Sequence, residues 1–477
     1  MISLNVKIRN RLLAVYVVTD LLTSSLAIVL FNLFRWNIIE FGGPFSTFYK
    51  MPQVWGGQIC FPLMLMLIYW LSGYYNNVYR RSRAQEAIAT IMSSAIGALI
   101  IFFLAVVNDA PWQRTDVFQR ILVAASIIFI CVYSGRYLIT RPVVRSVHDR
   151  NNMDAAVMIG TDKEAASLAR RINSLQKGMG LSVVCFVRLS ADSPVDPGCN
   201  GIDVIDRNKV RRYCSDHAIT NLILTPRALT DGLDLAEFMR LAYDINGGLL
   251  LSPDVNTVAF ASGRQFNVLG EPLVCISTPS ISSSTANIKR AIDILASAVA
   301  LVLLSPLFLI LAIGVKLDSK GPVFFRQKRL GLGGKPFNII KFRSMICNAE
   351  PDGRARVTVD NDPRVTRFGR FLRKYRLDEL PQFWNVLVGE MSLVGPRPER
   401  REFADKIAAR VPLYPMLYQV RPGITSWGMV RYGYASSVEQ MVERLRYDLI
   451  YLESISISTD VKILLHTVNT VLSGRGK

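Results

Sequence analysis

Residues 370–400 read RFLRKYRLDELPQFWNVLVGEMSLVGPRPER, and the rest of the chain is best understood from this segment. Two adjacent carboxylates, Asp378 and Glu379, lie within a run of basic residues, namely Arg370, Arg373, Lys374, Arg376, Arg397, Arg400 and Arg401. Nearby positive charge favours the ionised form of a carboxylate. An ionised aspartate can act as a nucleophile, and guanidinium groups bind phosphate oxygens. Chemistry on a phosphorylated substrate is one interpretation, and an acidic first turn on a basic surface helix is the other.

The segment LDELPQFWNVLVGEMSLVGPRPE belongs to a series of motifs that extends from residue 287 to about residue 470. In chain order the others are KRAIDI with a proline-broken apolar run, GPVFFRQKRLG, KFRSM, DPRVTRFGRFLRK, RPGIT and RYDLIYLES. In sequence and order these motifs resemble the bacterial sugar transferase family, the polyprenyl-phosphate hexose-1-phosphate transferases. The resemblance covers about two-fifths of the chain.

The resemblance implies a transfer in two steps through a covalent intermediate. Asp378 would attack the sugar-proximal phosphorus of a UDP-sugar and release UMP, and polyprenyl (undecaprenyl) phosphate would then take the phosphosugar from the aspartate. This is the first membrane step of exopolysaccharide, capsule or O-antigen synthesis. Glu379 would assist through metal positioning or proton handling. Both carboxylates would hold Mg²⁺, which binds few protein carboxylates together with phosphate oxygens.

Further site residues are predicted around this pair: Lys341, Arg343, Arg373, Pro396, Arg397, Pro398 and Trp427. The resemblance implies that the arginines hold phosphates. Pro396 and Pro398 restrict the backbone on both sides of Arg397, which favours a rigid, extended loop. Trp427 either stacks on uracil or belongs to the hydrophobic core, and both interpretations stay open.

Composition narrows the class of partner. The net charge is +19, and residues 287–477 contain 30 of the 56 Lys and Arg but 17 of the 37 Asp and Glu. Such a surplus fits anionic lipid headgroups and nucleotide phosphates. Nucleic acid is excluded as a partner, because the basic part includes an apolar membrane segment and no recognised binding motif. Seven scattered cysteines without a C-x-x-C and three distant histidines favour neither a disulfide framework nor a zinc site.

Four apolar segments open the chain, at about residues 12–34, 54–75, 87–107 and 121–139. Each is close to the roughly 20 residues that a helix needs to cross a bilayer. Basic residues cluster at the segment ends that would lie on one side of the membrane. They are Lys7, Arg9, Arg11, Arg80, Arg81, Arg83, Arg136, Arg141, Arg145 and Arg150. This bias predicts that both ends of the bundle face the cytoplasm, and the resemblance implies the bacterial inner membrane. Asp20, inside the first segment, is interpreted as a residue packed on other helices rather than as part of a transport path.

Residues 151–270 alternate between apolar strand patterns and helical patterns, which indicates an α/β domain with a parallel sheet. Gly160 follows the first strand, as in a dinucleotide-binding turn. The second and third glycines of that motif are replaced by Asp162 and Ala165. We therefore predict a Rossmann-like domain without dinucleotide binding, similar to the central domain in longer members of the same family.

A fifth apolar segment, at residues 292–315, is preceded by Lys289 and Arg290 and followed by further basic residues. Both flanks thus have the charge of the cytoplasmic side. Ser305 and Pro306 interrupt the segment, and proline breaks a helix. A kinked spanning helix and a re-entrant helix are equal on this pattern alone. Topology and the resemblance favour a re-entrant helix at residues 289–316, because a spanning helix would place Asp378 and Glu379 outside the cell.

The predicted fold is a multi-domain membrane protein. It comprises a transmembrane four-helix bundle at 1–150, a Rossmann-like α/β domain at 151–270, a linker at 271–286 and a mostly α catalytic domain at 287–477. The predicted partners are a UDP-sugar, polyprenyl phosphate, membrane lipids and a second copy of the chain in a dimer. Two other functions stay open: a membrane glycosyltransferase that releases UDP, and a regulatory membrane scaffold.

Overall fold

The computed structural model describes the chain except for residues 1, 39–42, 77–82, 107–113, 148–153, 175–180, 191–192, 218, 226, 229–232, 234, 246, 253–263, 268–271, 277–280, 348, 350–361, 434, 436 and 473–477. It divides into two compact units, residues 1–153 with 282–288, and residues 154–281 with 289–477. Of the basic residues that predict the orientation, Arg80, Arg81 and Arg150 lie outside the described residues.

The first unit consists of helices. These are α1 (Ile2–Ile38), α2 (Phe45–Tyr49), α3 (Pro52–Leu71), α4 (Arg83–Ile101), which continues as a π-helical turn (Phe102–Val106), and α5 (Arg114–Val147). Within the described residues, four helical segments are long and apolar enough to cross a membrane: Arg11–Ile38, Pro52–Leu71, Glu86–Val106 and Val117–Thr140. The four predicted apolar helices are confirmed, and the protein is membrane-associated.

A buried ion pair lies inside this bundle. Arg136 on α5 donates to both carboxylate oxygens of Asp20 on α1, at 2.8 and 2.7 Å, and the Tyr75 hydroxyl donates to Asp20 at 2.9 Å. The guanidinium also donates to Thr90 on α4 at 2.8 Å and lies 3.5 Å from the ring centroid of Tyr74. Asp20 is packed on other helices as predicted. Arg136, predicted as a flanking charge, is instead buried, because it neutralises Asp20 in an apolar setting.

The second unit begins with a mixed sheet of seven strands. Its strands are β1 (Asp154–Ile159), β2 (Leu181–Arg188), β3 (Asp203–Asp206), β4 (Asn221–Leu224), β5 (Gly248–Leu251), β6 (Arg264–Asn267) and β7 (Pro272–Cys275). Its helices are α6 (Lys163–Ser174), α7 (Val210–Asp216) and α8 (Leu235–Asp244).

The strand order is β3-β2-β1-β4-β5-β7-β6. The first five strands pair in parallel, as the apolar runs of β1, β2 and β4 predict, whereas β7 pairs antiparallel with β5 and β6. The segment 271–286, which the sequence predicts as a linker, contains β7 near its start and the first residues of the next helix at its end.

The turn after β1 shows how the incomplete glycine motif affects dinucleotide binding. Gly160 has a φ of +115°, a conformation that glycine adopts readily. Asp162, in place of the second glycine, accepts a hydrogen bond from the Ala165 backbone N–H at 3.2 Å and so caps the start of α6. A dinucleotide phosphate needs this helix N-terminus, and here a carboxylate occupies it.

Two apolar helices, α9 (Ser283–Leu303) and α10 (Ser305–Asp318), meet at a bend of 63° and belong to the second unit from residue 289 onward. Next come the hairpin β8 (Phe324–Leu330) and β9 (Pro336–Phe342), α11 (Arg367–Lys374), α12 (Gln382–Val388), β10 (Ser392–Val394), α13 (Arg401–Arg410), β11 (Gly423–Thr425), α14 (Trp427–Arg431), α15 (Val438–Glu453) and α16 (Ile457–Leu472). β10 pairs in parallel with β11. The apolar core lies between the hairpin, α13, α15 and α16.

Candidate active site

The Asp378–Glu379 pair is presented by a short 3₁₀ turn. α11 ends at Lys374, and Arg376 then takes a left-handed backbone conformation, with a φ of +54°, before the turn Leu377–Glu379. A left-handed non-glycine residue costs of order 1–3 kcal/mol and often marks a functional site. The turn directs both carboxylates inward, with 8% of Asp378 and 5% of Glu379 exposed. An acidic turn on a solvated helix, the plainer interpretation of the sequence, is therefore wrong.

Cations from two other elements converge on Glu379. The Lys341 ammonium on β9 lies 2.6 Å from Glu379 Oε1, and the Arg397 guanidinium, from the loop after β10, lies 3.6 Å from the same oxygen. The structure thus brings together four residues that are up to 56 positions apart in the sequence. The pairing of Lys341 with Glu379 fixes both side chains, because Glu379 is buried and Lys341 is largely so.

The two carboxylates differ in their pKa. Burial raises the pKa of Asp378, and the Lys341 charge only partly opposes this effect. Burial also opposes ionisation of Glu379, but Lys341, Arg397 and Arg376 outweigh it and lower the pKa of Glu379 to about 2. The basic sequence context predicts a lowered pKa for both, which holds for Glu379 only. Charge can be read from a sequence, whereas the depth of burial at Asp378 cannot.

The other two predicted arginines lie at different distances from this pair. Arg373 donates to Ser344 Oγ at 2.9 Å, and its charge acts on Asp378. Arg343 instead donates to the carbonyl oxygens of Val315 and Ser319, at 3.3 and 2.6 Å. These carbonyls end α10, so the Arg343 guanidinium caps that helix rather than joining the contacts of Glu379.

The loop that presents Arg397 is tightly held. The Gly423 backbone N–H donates to the Pro396 carbonyl at 2.9 Å. A Cβ added at Gly395 would lie 2.3 Å from a backbone oxygen, so only glycine permits this approach of the two chain segments. Pro396, Arg397 and Pro398 line a small cleft that is partly open to solvent. This agrees with the rigid loop expected from the two prolines.

Trp427 begins α14 and is partly buried against the apolar core of the C-terminal region. The Arg431 guanidinium lies over its ring, 5.4 Å from the centroid. These contacts favour the core interpretation of Trp427 over stacking on uracil.

The predicted residues of the re-entrant segment make specific contacts. Lys289 forms an ion pair with Asp460 on α16. Arg290 donates to the carbonyl oxygen of Val386, at 2.6 Å, and so caps the end of α12. Further along, Ser305 Oγ donates to the Val302 carbonyl at 2.8 Å, and Pro306 lies in the first turn of α10, where proline costs no hydrogen bond. The bend therefore occurs at the predicted Ser-Pro step.

The sequence prediction missed a second buried carboxylate next to Arg397. Glu399 is paired with Arg444 on α15, at 2.5 Å, and with Arg329 on β8, at 3.3 Å. The sequence contained one signal for Glu399: it lies in the segment that carries the family resemblance, two residues after Arg397.

Metal ligands are sparse in the described part of the chain, where no three His, Cys, Asp or Glu side chains form a metal-binding group. Asp378 and Glu379 offer two neighbouring carboxylates. This donor set suits Mg²⁺, which usually takes one or two carboxylates, substrate phosphates and water.

The fold and site together define a membrane-associated protein whose C-terminal region buries a carboxylate pair among cations. Residues 284–474 match the family described as bacterial sugar transferase. A UDP-glucose:undecaprenyl-phosphate glucose-1-phosphate transferase of Caulobacter vibrioides is 46% identical over 187 residues, which are 39% of this chain and 70% of the relative. The chain therefore belongs to the bacterial sugar transferase family.

Two other relatives match over a smaller share of their length. A UDP-N-acetylgalactosamine-undecaprenyl-phosphate N-acetylgalactosaminephosphotransferase of Aeromonas hydrophila is 48% identical over 191 residues, 40% of this chain and 45% of the relative. A UDP-glucose:undecaprenyl-phosphate glucose-1-phosphate transferase of Escherichia coli K12 is 39% identical over 242 residues, 50% of this chain and 52% of the relative. The chain thus spans about half the length of these two relatives.

Proposed function

We propose that the chain transfers a sugar 1-phosphate from a UDP-sugar to undecaprenyl phosphate, giving an undecaprenyl diphosphate sugar and UMP. This would be the first membrane step in the synthesis of a polysaccharide. The observation that carries the proposal is the buried Asp378–Glu379 pair with Lys341 and Arg397 around it. The names of the relatives, which specify UDP-sugars and undecaprenyl phosphate, support the two substrates.

In the first step, a carboxylate oxygen of Asp378 attacks the sugar-proximal phosphorus. An O–P bond forms, and the bond from this phosphorus to the bridging oxygen breaks, so that UMP leaves with that oxygen. In the second step, an oxygen of undecaprenyl phosphate attacks the same phosphorus and releases Asp378. Among the described residues no side chain donates a hydrogen bond to Asp378, which supports its role as the nucleophile.

The cations orient and neutralise the diphosphate. Arg397 and Arg373 hold phosphate oxygens, and Lys341 holds Glu379 ionised beside the nucleophile. Asp378 and Glu379 would hold Mg²⁺, which would neutralise phosphate charge in both steps. Lys341 completes the proposed substrate-binding set, with Pro396 and Pro398 fixing the loop of Arg397 and Trp427 supporting the site from the apolar core.

The proposed topology places the site at the cytoplasmic face of the bacterial inner membrane. Residues 1–150 span the membrane four times, and residues 289–316 enter it and return. Basic residues at both flanks of the segment and the 63° bend support the re-entrant form. Cys347, which is exposed, tests this topology. In a variant with this single cysteine, a membrane-impermeant maleimide should label inverted vesicles and leave intact spheroplasts unlabelled.

The remaining proposals concern the α/β domain and assembly. The domain at 151–270 is Rossmann-like and lacks dinucleotide binding, which the Asp162 cap of α6 supports. The protein forms a homodimer, which light scattering of the detergent-solubilised protein would test.

The decisive experiment identifies the nucleotide released. Purified protein, Mg²⁺ and undecaprenyl phosphate are incubated with UDP-glucose and with UDP-N-acetylgalactosamine, the donors named in the relatives. UMP release that is lost on addition of EDTA is expected. Release of UDP would instead indicate a glycosyltransferase. Release of neither nucleotide from any UDP-sugar would favour a regulatory membrane scaffold.

A further inference from the structure

Glu399 lies between two arginines that come from different elements. Its Oε1 accepts a hydrogen bond from Arg444 Nη2 at 2.5 Å, and its Oε2 lies 3.3 Å from Arg329 Nη1. The three side chains are 7%, 6% and 16% exposed, respectively. A buried ion pair is strongly weakened when one partner is removed, because the other charge is left without compensation. These contacts therefore fix Glu399 firmly in one position.

Arg329 and a carboxylate on α15 also hold the backbone next to Arg397. Arg329 Nη1 donates to the Pro398 carbonyl at 3.2 Å, immediately after Arg397. Asp448, on α15 with Arg444, accepts a hydrogen bond from the Arg397 backbone N–H. The position of the Arg397 guanidinium, 3.6 Å from Glu379, thus depends on a set of buried contacts behind the loop.

Electrostatics connects this set to the site. Burial opposes the ionisation of Glu399, but Arg444, Arg329 and Arg397 together lower its pKa. The guanidinium groups of Arg397 and Arg329 repel each other. This repulsion is one of the causes that lower the pKa of Arg329. Glu399, whose effect on Arg329 is larger than that of Glu379, therefore offsets the repulsion between Arg329 behind the loop and Arg397 at its tip.

We propose that Glu399 is a positioning residue for Arg397: it balances Arg329 and Arg444 so that the Arg397 guanidinium faces Glu379 and the donor diphosphate. The inference rests on the proposed function only in assigning the diphosphate to Arg397. Without Glu399, repulsion from Arg329 would displace Arg397 and weaken its hold on phosphate.

A double-mutant cycle with Mg²⁺ and inorganic pyrophosphate as the probe tests the proposal. Pyrophosphate binding to the full-length protein is measured by titration calorimetry for the wild type, Glu399→Gln, Arg397→Ala and the double variant. Glu399→Gln should weaken binding about tenfold, as expected when coupled residues are separated. In the Arg397→Ala background, Glu399→Gln should have no further effect, because there is no guanidinium left to position.

Controls separate positioning from general loss of structure. Glu439→Gln makes the same chemical change at an exposed ion pair with Arg410 and should bind pyrophosphate as the wild type does. Should Glu399→Gln fail to fold, Glu399→Gln with Arg444→Met removes charge from both sides of the pair and should show the same weakened binding. Glu399→Asp, which keeps the charge, should recover part of the affinity.

Three results would overturn the inference: wild-type affinity in Glu399→Gln, additive losses in the double variant, or no pyrophosphate binding by the wild type. Failure of the proposed function is a different result. A non-additive cycle in a wild type that releases no UMP would leave the positioning role in place and remove the transferase proposal.

Discussion

Each compact unit buries a cluster of carboxylates and cations, and the two clusters satisfy their carboxylates in different ways. In the helix bundle, Asp20 accepts two hydrogen bonds from Arg136 and one from Tyr75. In the C-terminal region, Glu379 is paired with Lys341, whereas among the described residues no side chain donates to Asp378. Complete pairing is what a structural ion pair needs. A buried carboxylate that no side chain holds costs stability and can serve chemistry.

The sharpest way to separate the clusters is to break the carboxylate arrangement in each. Asp378→Asn should lower UMP release at least about 10³-fold, because an amide cannot replace the nucleophilic oxygen. Its thermal unfolding temperature should equal or exceed that of the wild type, since burial disfavours the charge that is removed. Release is measured by chromatography of the nucleotide products. Asp405→Asn, an exposed change on α13, is the matched control. Normal activity in Asp378→Asn would transfer the nucleophilic role to another residue.

In the bundle the expected effect is on stability. Arg136→Met removes the cation paired with Asp20 and leaves it only the Tyr75 hydrogen bond, so it should destabilise the bundle by about 3–5 kcal/mol. Adding Asp20→Asn should recover part of this loss, because no unpaired charge then remains. Unfolding in detergent is followed by intrinsic fluorescence. Asp206→Asn, which breaks a partly exposed pair with Arg188, is expected to have little effect. Additive losses at Asp20 and Arg136 would contradict their coupling.

The pH dependence of UMP release and of stability tests how Lys341 acts on the two carboxylates of the C-terminal cluster. Lys341→Gln removes a charge that lowers the pKa of Asp378, so the acid limb of the UMP-release profile should move to higher pH. Lys341 also helps to lower the pKa of Glu379 from 4.5 to about 2. The stability from ionised Glu379 is therefore complete above pH 4.5 and is lost as the pH falls towards 2. The variant should lose much of that stability at neutral pH.

The control for the pH profile is Lys335→Gln, which removes the same charge from the exposed turn of the β8–β9 hairpin. Its acid limb should coincide with that of the wild type. An acid limb that stays in place in Lys341→Gln would mean that Asp378 is not the group that titrates.

Whether the sequence predicts a feature of the two clusters depends on how far apart in the chain the interacting residues lie. The length of the apolar segments alone predicts the four membrane helices, and the proline that interrupts the fifth segment predicts the bend at Ser305–Pro306. Local charge places Asp378 and Glu379 in a basic field. The partners of Asp20 cannot be read from the chain, because Arg136 is 116 residues away and looks like an interface charge. The role of Arg343 is equally hidden, since it depends on where α10 ends.

The smallest effect on transfer is expected at Arg343, and it tests which cations belong to the site. Arg343→Gln removes two hydrogen bonds to the last carbonyls of α10, which should cost roughly 1–3 kcal/mol of stability. UMP release per folded molecule should change less than about threefold, because these contacts do not reach the substrate. Arg397→Gln, the same change at the cation beside Glu379, should lower release far more. Equal losses in both variants would place Arg343 at the phosphates after all, and would mean that its capping of α10 is a state the enzyme leaves when the donor binds.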